Sequence, residues 1–211
     1  MISNAEIKRV KALQSKKFRD ESGLFVVEGE KMVAEALESG LRVEAVYRRG
    51  EIGEQAMARI SSLNSPSPVL AVVRQAAAPD IDEIRSFVRS CGRDMLAIAL
   101  DEIRDPGNLG TIIRLADWYG IDAVFCSAGT VELYNPKVVQ STMGAIFRKK
   151  VIYCDLNNIF DIFASNGLPI YGTFLEGEDI YRSELSSGGL IVMGNEANGI
   201  SPELRSRISA K

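Results

Sequence analysis

Two short segments of the sequence place glycines, asparagines and ionisable side chains where they could bind a ligand or do chemistry. The first segment, residues 105–111, reads DPGNLGT, and Arg114 follows it. Glycines let a backbone approach a ligand closely, and the free amides at the start of a helix attract anions. We expect Arg114 one turn inside the following helix, where its charge opposes the positive helix end. Either a bound anion or a surface ion pair accounts for an arginine at that position.

The second segment, residues 193–202, reads MGNEANGISP and carries Glu196 between glycines. Ser201 and Pro202 predict the start of a short helix, because serine caps helices and proline suits their first position. A carboxylate on such a loop suits catalysis, although glycine-rich turns also end many strands for structural reasons alone. Glu196 therefore becomes a strong candidate only in combination with the first segment.

The residue types present exclude several kinds of site. The sequence contains no histidine, which excludes Ser-His-Asp and Cys-His catalysis and histidine-ligated zinc. Cys91, Cys126 and Cys154 lie far apart, so we expect buried free thiols and predict neither a disulfide nor a metal site. Neither GxxxxGK[ST] nor GxGxxG occurs, so a P-loop nucleotidase or a nicotinamide enzyme is not predicted. The remaining chemistry uses carboxylates, Lys and Arg, hydroxyls, backbone amides or a bound cofactor.

The overall composition is typical of a soluble globular protein of one or two domains, with 211 residues, 46% apolar and 25% charged. We find no stretch long and apolar enough for a membrane span, and the charged N-terminal stretch does not resemble a signal peptide, which predicts a cytoplasmic protein. The net charge of −3 gives no global sign of a nucleic-acid partner. Residues 1–20 nevertheless hold a local cluster of basic residues, namely Lys8, Arg9, Lys11, Lys16, Lys17 and Arg19.

The elements that must position the two segments follow from periodicity. From residue 95 onward, apolar strands at 95–100, 123–127, 151–154, 170–175 and 190–194 alternate with helices, which we expect at 112–120, 135–143, 156–165 and 181–185. This alternation predicts an α/β fold with a doubly wound, mostly parallel sheet, whose ligands lie beyond the carboxyl ends of the strands. Residues 1–75 alternate helix and strand in a small α/β domain, with the first helix capped by Ser3 or Asn4 and a second amphipathic helix predicted at 30–38. We therefore predict domains at 1–75 and 94–211, joined by a linker at 76–93.

Four segments in order resemble one known family. DPGNLGTIIRLADWYGIDAVF resembles the first motif of the SpoU (TrmH-like) RNA 2′-O-ribose methyltransferases of the SPOUT superfamily, and GLIVMGNEANGISPEL resembles the second. The intervening YNPKVVQSTMGAIFRKKV is similar to the family's segment of small residues with a basic end, and KKFRDESGLFVVEGEKMVAEAL is similar to its RNA-binding accessory domain. The resemblance implies a SPOUT-type fold with a C-terminal knot, S-adenosylmethionine as cofactor, methylation of a ribose 2′-hydroxyl in rRNA or tRNA, and a homodimer.

The resemblance also implies roles for particular residues near the two segments. Asn108, Arg114 and Glu196 match catalytic positions, Gly194 matches a glycine that lies against the cofactor, and Thr173 is a candidate for the cofactor's rim. Because guanidinium groups are poor proton acceptors, we expect Arg114 to stabilise the developing alkoxide and hold a phosphate. Asn108 would orient Arg114 or the ribose, and Glu196 would hold Arg114.

In the N-terminal domain, the resemblance makes Lys16, Lys17 and Arg19 contacts to RNA phosphates, with a solvated charged face as the alternative. One part of the family pattern is missing, because the sequence stops at Lys211 before the expected third motif, an apolar stretch running into Ser-Leu-Asn-Val. That motif supplies the knot, part of the cofactor pocket and part of the dimer interface. We expect a truncated chain. A non-catalytic RNA-binding protein and a small-molecule-binding α/β protein remain the alternatives.

Overall fold

The structure is a computed structural model that describes residues 2–177, 179–183 and 185–209. Its helices are α1 (Asn4–Ala12), α2 (Lys16–Ser22), α3 (Glu30–Glu38), α4 (Arg49–Ile52), α5 (Glu54–Ile60), α6 (Ile81–Cys91), α7 (Pro106–Trp118), α8 (Pro136–Ser141), α9 (Leu156–Ser165) and α10 (Pro202–Arg205). Its strands are β1 (Leu24–Glu28), β2 (Val43–Arg48), β3 (Val69–Arg74), β4 (Leu96–Leu100), β5 (Ala123–Cys126), β6 (Lys150–Tyr153), β7 (Ile170–Gly172) and β8 (Gly189–Met193). Short 3-10 helices lie at Gly92–Asp94, Ala145–Phe147 and Ile180–Arg182.

Contacts within the described chain group it into two compact units. The N-terminal unit comprises Met1–Ala77 together with Glu132–Arg148, and the parallel-sheet unit comprises Ala78–Val131 together with Lys149–Lys211. Residues 132–148 were expected within the domain at 94–211, and their contacts place them with the N-terminal residues instead. Periodicity could not indicate this grouping, because it reports local structure and not which core a segment joins.

The N-terminal unit is built on a sheet of three strands, within the described residues, in the order β1-β3-β2 with antiparallel neighbours. Helix α1 begins at its cap Ser3, whose side chain accepts a hydrogen bond from the Glu6 amide, and packs Ile7 and Val10 onto the sheet. Residues 132–148 add α8, which lies against β1, and Tyr134, whose ring is tilted by 38° to that of Phe25 with the ring centres 4.5 Å apart.

The parallel-sheet unit carries, in the described part of the chain, five parallel strands in the order β6-β5-β4-β8-β7. Strands β4 and β5 are almost wholly buried, as expected for strands covered on both faces. One face packs against α6, α9 and α10 through a core that includes Phe125, Phe160 and Phe163, and α7 buries Leu109 and Ile113. The predicted doubly wound α/β sheet is confirmed.

Several predicted elements agree closely with the structure, and others differ for physical reasons. Helices α3 and α9 have the predicted bounds, and α7 begins six residues earlier than the expected start near residue 112. The glycines of the first segment are therefore helical, because Asp105 caps the helix and Pro106 occupies its first position. Strand β7 ends at Gly172, short of the predicted residue 175. The short helix predicted at 181–185 is a 3-10 turn at Ile180–Arg182, and part of that prediction falls on residue 184, outside the described residues.

The three cysteines are free in the structure, as predicted, but of the three only Cys126 is buried, whereas Cys91 and Cys154 are partly exposed. Burial raises the pKa of the Cys126 thiol, and burial followed by the neighbouring Asp155 charge raises the pKa of Cys154 to about 12. Both thiols are therefore protonated at neutral pH and are poor nucleophiles. Of the helices in the described ranges, none has the length and apolar character needed to cross a membrane.

Candidate active site

The candidate site lies where the order of the parallel sheet changes direction. Strand β4 is followed in the chain by β5 on one side, whereas β8 pairs with β4 on the other side. Strands β4 and β8 therefore meet at a topological switch point, and the loops at their carboxyl ends border the usual place for a ligand in such sheets. These loops contain the two segments that the sequence singled out, although more than 80 residues separate them.

Hydrogen bonds join the two loops directly. The Asp101 amide donates to the carbonyl of Met193 at 2.9 Å, and the Asp101 carboxylate accepts from the Ser201 amide at 2.8 Å. The Asn195 side chain donates to the carbonyl of Glu102 at 2.8 Å. Asp101 and Asn195 are both buried, so these bonds are shielded from water and fix the position of one loop against the other.

Asn108 and Glu196 meet across the switch point. The Asn108 side-chain amide donates a 2.7 Å hydrogen bond to Glu196 Oε1. Asn108 is the third residue of α7, and its backbone amide donates to the capping Asp105 carboxylate at 2.8 Å. Both partner side chains are exposed, so the pair lies open to a ligand. The structure thus brings together two of the predicted catalytic residues and fixes one of them through the start of a helix.

Arg114 lies apart from this pair. It is the ninth residue of α7, six residues beyond Asn108, which places the two about 9 Å apart along the helix axis. The expected contact between Glu196 and Arg114 is absent among the described residues, where Glu196 pairs with Asn108 instead. The expected repulsion between the Arg114 charge and the positive end of the helix is also absent. Helix α7 begins earlier than expected, so Arg114 lies two turns inside it. Arg114 is exposed and has no hydrogen-bond or ion-pair partner within the described residues.

The two predicted cofactor contacts lie at the carboxyl ends of β7 and β8. Thr173 follows β7, and its exposed side chain donates to the Val192 carbonyl at 3.1 Å. Gly194 follows β8, and a Cβ atom there would lie 2.1 Å from the Gly199 carbonyl carbon and 2.2 Å from the Ile200 nitrogen. The close approach that requires glycine at this position is therefore made by the returning loop. Contact with a cofactor stays a prediction for both residues.

The predicted phosphate contacts differ among themselves in exposure. Lys16 and Lys17 are exposed on α2, where Lys16 lies 2.5 Å from Asp20 and Lys17 lies 3.9 Å from Glu21. Arg19 is only 2% exposed, and its guanidinium pairs with Glu132 and donates to the Leu13 carbonyl at 2.7 Å. The structure therefore corrects the expectation for Arg19, because a buried and paired guanidinium is not available to an RNA phosphate. The periodicity of α2 turns Arg19 inward and leaves the two lysines outside.

Asn195 and Glu102, which help to hold the loops in place, are not among the residues predicted from the sequence. Asn195 accepts hydrogen bonds from the amides of Ala197 and Asn198 at 2.9 and 3.1 Å, which is the geometry of an Asx turn. Glu102 has a φ of 58°, a conformation that a non-glycine residue adopts only where its surroundings impose it. The asparagine at the end of an apolar strand was a visible signal for the turn. The Glu102 backbone conformation gave no signal in the sequence.

The sheet order and the Asn108–Glu196 pair define a doubly wound α/β protein with a site at its switch point. Residues 95–211 match the model of the SpoU rRNA Methylase family, and residues 4–72 match the model of the MRM3-like substrate binding domain. The first match covers more than half of the chain, so the protein belongs to the SpoU rRNA methylase family. This confirms the family predicted from the sequence motifs.

Individual relatives agree with this assignment. The chain is 29% identical to the 23S rRNA (guanosine(2553)-2′-O)-methyltransferase RlmP of Bacillus subtilis, over 95% of this chain and 83% of that protein. It is 33% identical to the mitochondrial rRNA methyltransferase 3 of Xenopus tropicalis, over 69% of this chain but only 39% of that protein. The AdoMet-bound rRNA methyltransferase structure from Sinorhizobium meliloti matches with a TM-score of 0.84 and 28% identity, covering 100% of this chain and 85% of that one.

Proposed function

We propose that this protein methylates a ribose 2′-hydroxyl of ribosomal RNA and uses S-adenosylmethionine as the methyl donor. The observation that carries the proposal is the 2.7 Å hydrogen bond between Asn108 and Glu196. It joins the two segments that resemble family motifs at the switch point of the sheet, where ligands of such folds bind. The family match supports the same chemistry, as do the names of relatives that act on 23S rRNA.

The residues near the switch point suit this cofactor in kind. S-adenosylmethionine, when bound, supplies an electrophilic methyl group. The exposed Thr173 hydroxyl, the peptide groups beside Gly194 and the partly exposed Met193 side chain offer the polar and apolar surfaces that such a ligand needs. We propose that Thr173 and Gly194 border the cofactor. The AdoMet-bound neighbour from Sinorhizobium meliloti supports this choice of ligand.

The side chains of the site contribute alignment and charge stabilisation. A ribose 2′-hydroxyl is a weak nucleophile, so holding it in line and stabilising its developing negative charge accelerates the reaction. Asn108 has one amide proton bonded to Glu196 and a second free to orient the ribose. Arg114 has no partner among the described residues, so its guanidinium is available to an alkoxide or a phosphate. In this proposal Glu196 fixes Asn108 and does not hold Arg114.

The exposed face of α7 supports a homodimer as the working form. Trp118 is 84% exposed, and Tyr119 and Leu115 are also exposed beside Arg114. Monomeric proteins rarely expose large apolar side chains in a contiguous group. We propose that a second copy covers this face, so that Arg114 would lie close to the dimer interface. We further propose that the protein acts in the cytoplasm.

We propose that the N-terminal unit, which contains the domain predicted at 1–75, binds RNA. We propose that the parallel-sheet unit, which contains most of the domain predicted at 94–211, transfers the methyl group. The match of residues 4–72 to a substrate binding domain supports the first role. A non-catalytic RNA-binding protein is the second candidate, because the match of residues 4–72 to a substrate binding domain accounts for RNA binding without catalysis. A methyl acceptor in tRNA is the remaining variant of the main proposal.

The test incubates the full-length protein with methyl-labelled S-adenosylmethionine and, separately, unmodified 23S rRNA and unmodified total tRNA. We expect label in the rRNA and none in the tRNA. Transfer to tRNA alone would contradict the proposed substrate. RNA retained on the protein without any label would favour the non-catalytic candidate. If the protein neither retains RNA nor labels it, both candidate functions are contradicted.

A further inference from the structure

The two units carry opposite charge. The 25 Lys and Arg and 28 Asp and Glu residues divide into 14 basic and 11 acidic in the N-terminal unit, and 11 basic and 17 acidic in the parallel-sheet unit. The N-terminal unit therefore has a formal side-chain charge of +3, and the parallel-sheet unit has −6. A polyanion such as RNA is therefore attracted to the N-terminal unit and repelled by the parallel-sheet unit. Within the N-terminal unit, the attraction is strongest at cations that have no acidic partner.

The lysines of α2 are largely compensated by acidic residues. Lys16 lies 2.5 Å from Asp20 and 4.0 Å from Glu132, and Lys17 lies 3.9 Å from Glu21. These are spacings at which opposite charges on a helix surface pair. A phosphate approaching α2 would meet each lysine together with a carboxylate. Helix α2 therefore offers little net positive charge to RNA.

The lysines of α1 are different. Lys8 and Lys11 are exposed, and among the residues that the structure describes neither has an acidic partner within hydrogen-bond or ion-pair distance. They lie three residues apart on the helix, so their Cβ atoms are about 5–6 Å apart. Glu6, the acidic residue of α1, already binds Arg9 at 2.7 Å and also accepts a hydrogen bond from Tyr47. Its charge is thus already compensated by Arg9.

A third cation extends this surface from the neighbouring helix. Arg59 on α5 is exposed, and its guanidinium donates to the Asn4 side chain at 3.1 Å. Asn4 lies one turn before Lys8, so the amide contact holds Arg59 beside the start of α1 without cancelling its charge. The acidic residue of α5, Glu54, pairs with Arg49 at 3.5 Å. We name the surface formed by Lys8, Lys11 and Arg59 the α1–α5 strip.

We infer that the α1–α5 strip is the surface that binds the phosphate backbone of the RNA substrate, in place of the α2 lysines that the sequence favoured. Exposed cations without carboxylate partners complement a polyanion, and such contacts orient RNA without reading its sequence. Helices α1 and α5 contribute none of the large exposed apolar side chains found among the described residues, whereas protein interfaces usually include some. The inference rests on the proposed function for its choice of RNA.

The test compares pairs of substitutions that each remove two positive charges from the N-terminal unit of the full-length protein. The strip variant is Lys8→Gln/Lys11→Gln, the rival variant is Lys16→Gln/Lys17→Gln, and the control is Lys31→Gln/Arg48→Gln on other exposed positions. Binding to unmodified 23S rRNA is measured over a range of salt concentrations. Thermal unfolding of each variant verifies that the fold is intact.

We expect the strip variant to bind roughly tenfold more weakly at physiological salt, and its salt dependence to be shallower by about 1.4–1.8 in the log–log slope, as for two lost phosphate contacts. The rival and control variants keep the wild-type slope and bind within about twofold. A larger loss in the rival variant overturns the inference. An equal loss in all three also overturns it, since it would report only net charge. These outcomes concern binding alone, so they stay separate from the methyl-transfer test of the proposed function.

Discussion

The two units of this protein carry proposed functional surfaces of two different kinds. In the parallel-sheet unit, Asn108 and Glu196 are 88 positions apart in the chain and meet only because β4 and β8 are neighbours in the sheet. In the N-terminal unit, the α1–α5 strip depends on which neighbouring carboxylates pair with which cations. Topology determines the first surface and charge compensation determines the second, so different substitutions should break each one.

The largest effect is expected from Arg114→Ala, which removes the group proposed to stabilise the alkoxide. Loss of one such stabilising group costs about 10²–10³-fold in turnover. The measurement is the rate of methyl transfer to unmodified 23S rRNA by the full-length protein. Arg89→Ala, at an exposed arginine of α6 in the same unit, serves as the matched control. Wild-type turnover in the Arg114 variant would remove that residue from the proposed mechanism.

The loop after β8 is expected to tolerate a methyl group at one glycine and not at another. Gly194→Ala places a Cβ atom about 2 Å from the Gly199–Ile200 backbone, so we expect a loss of about 3 kcal/mol in the free energy of unfolding. Gly199→Ala meets no atom within 4 Å and strains only a φ of 68°, so its expected loss is about 1 kcal/mol. Chemical denaturation measures both. Equal losses would contradict the close approach at Gly194.

The N-terminal unit should depend on one buried cation. Arg19→Met removes the pair with Glu132 and leaves that partly buried carboxylate with Lys16 alone, 4.0 Å away, so we expect a loss of about 2–4 kcal/mol in the free energy of unfolding. Lys17→Met, two residues earlier and exposed, should change it by less than about 0.5 kcal/mol. Denaturation curves of the two variants give the comparison. A loss of less than about 0.5 kcal/mol for Arg19→Met would contradict the burial of its guanidinium.

The smallest effect is expected across the switch point itself. A double-mutant cycle of Asn108→Ala and Glu196→Ala isolates the energy of their contact, for which we expect about 1 kcal/mol because both side chains are exposed. The cycle is measured on the rate of methyl transfer. Fully additive effects would show that the two residues act independently.

Much of the fold could be predicted because apolar periodicity is a local property. Strands β4, β5 and β8 and helices α3 and α9 appear at or near their predicted positions for this reason. The predicted start of α7 near residue 112 is wrong. Glycines favour loops by propensity, whereas the Asp105 cap and Pro106 extend the helix over them. Local propensity alone could not weigh a capping hydrogen bond against the conformational freedom of glycine.

The site was predicted in part. Residue type and motif identified Asn108 and Glu196, and the sheet then placed them together. The pairing of Glu196 with Asn108 and not with Arg114 could not be predicted, because it depends on where along α7 each residue lies. The burial of Arg19 could not be predicted, because its partner Glu132 lies on a distant segment of the chain. The lack of an acidic partner for Lys8 could not be predicted either, because it depends on how the carboxylates around it pair.

The position of the transferred methyl group distinguishes methylation of a ribose from methylation of a base. The full-length protein is incubated with methyl-labelled S-adenosylmethionine and unmodified 23S rRNA, and the RNA is then digested completely with alkali. Alkaline cleavage requires a free 2′-hydroxyl, so a 2′-O-methyl group protects the bond beside it. We expect the label to be recovered in alkali-stable dinucleotides. Label recovered in mononucleotides with a methylated base would contradict it.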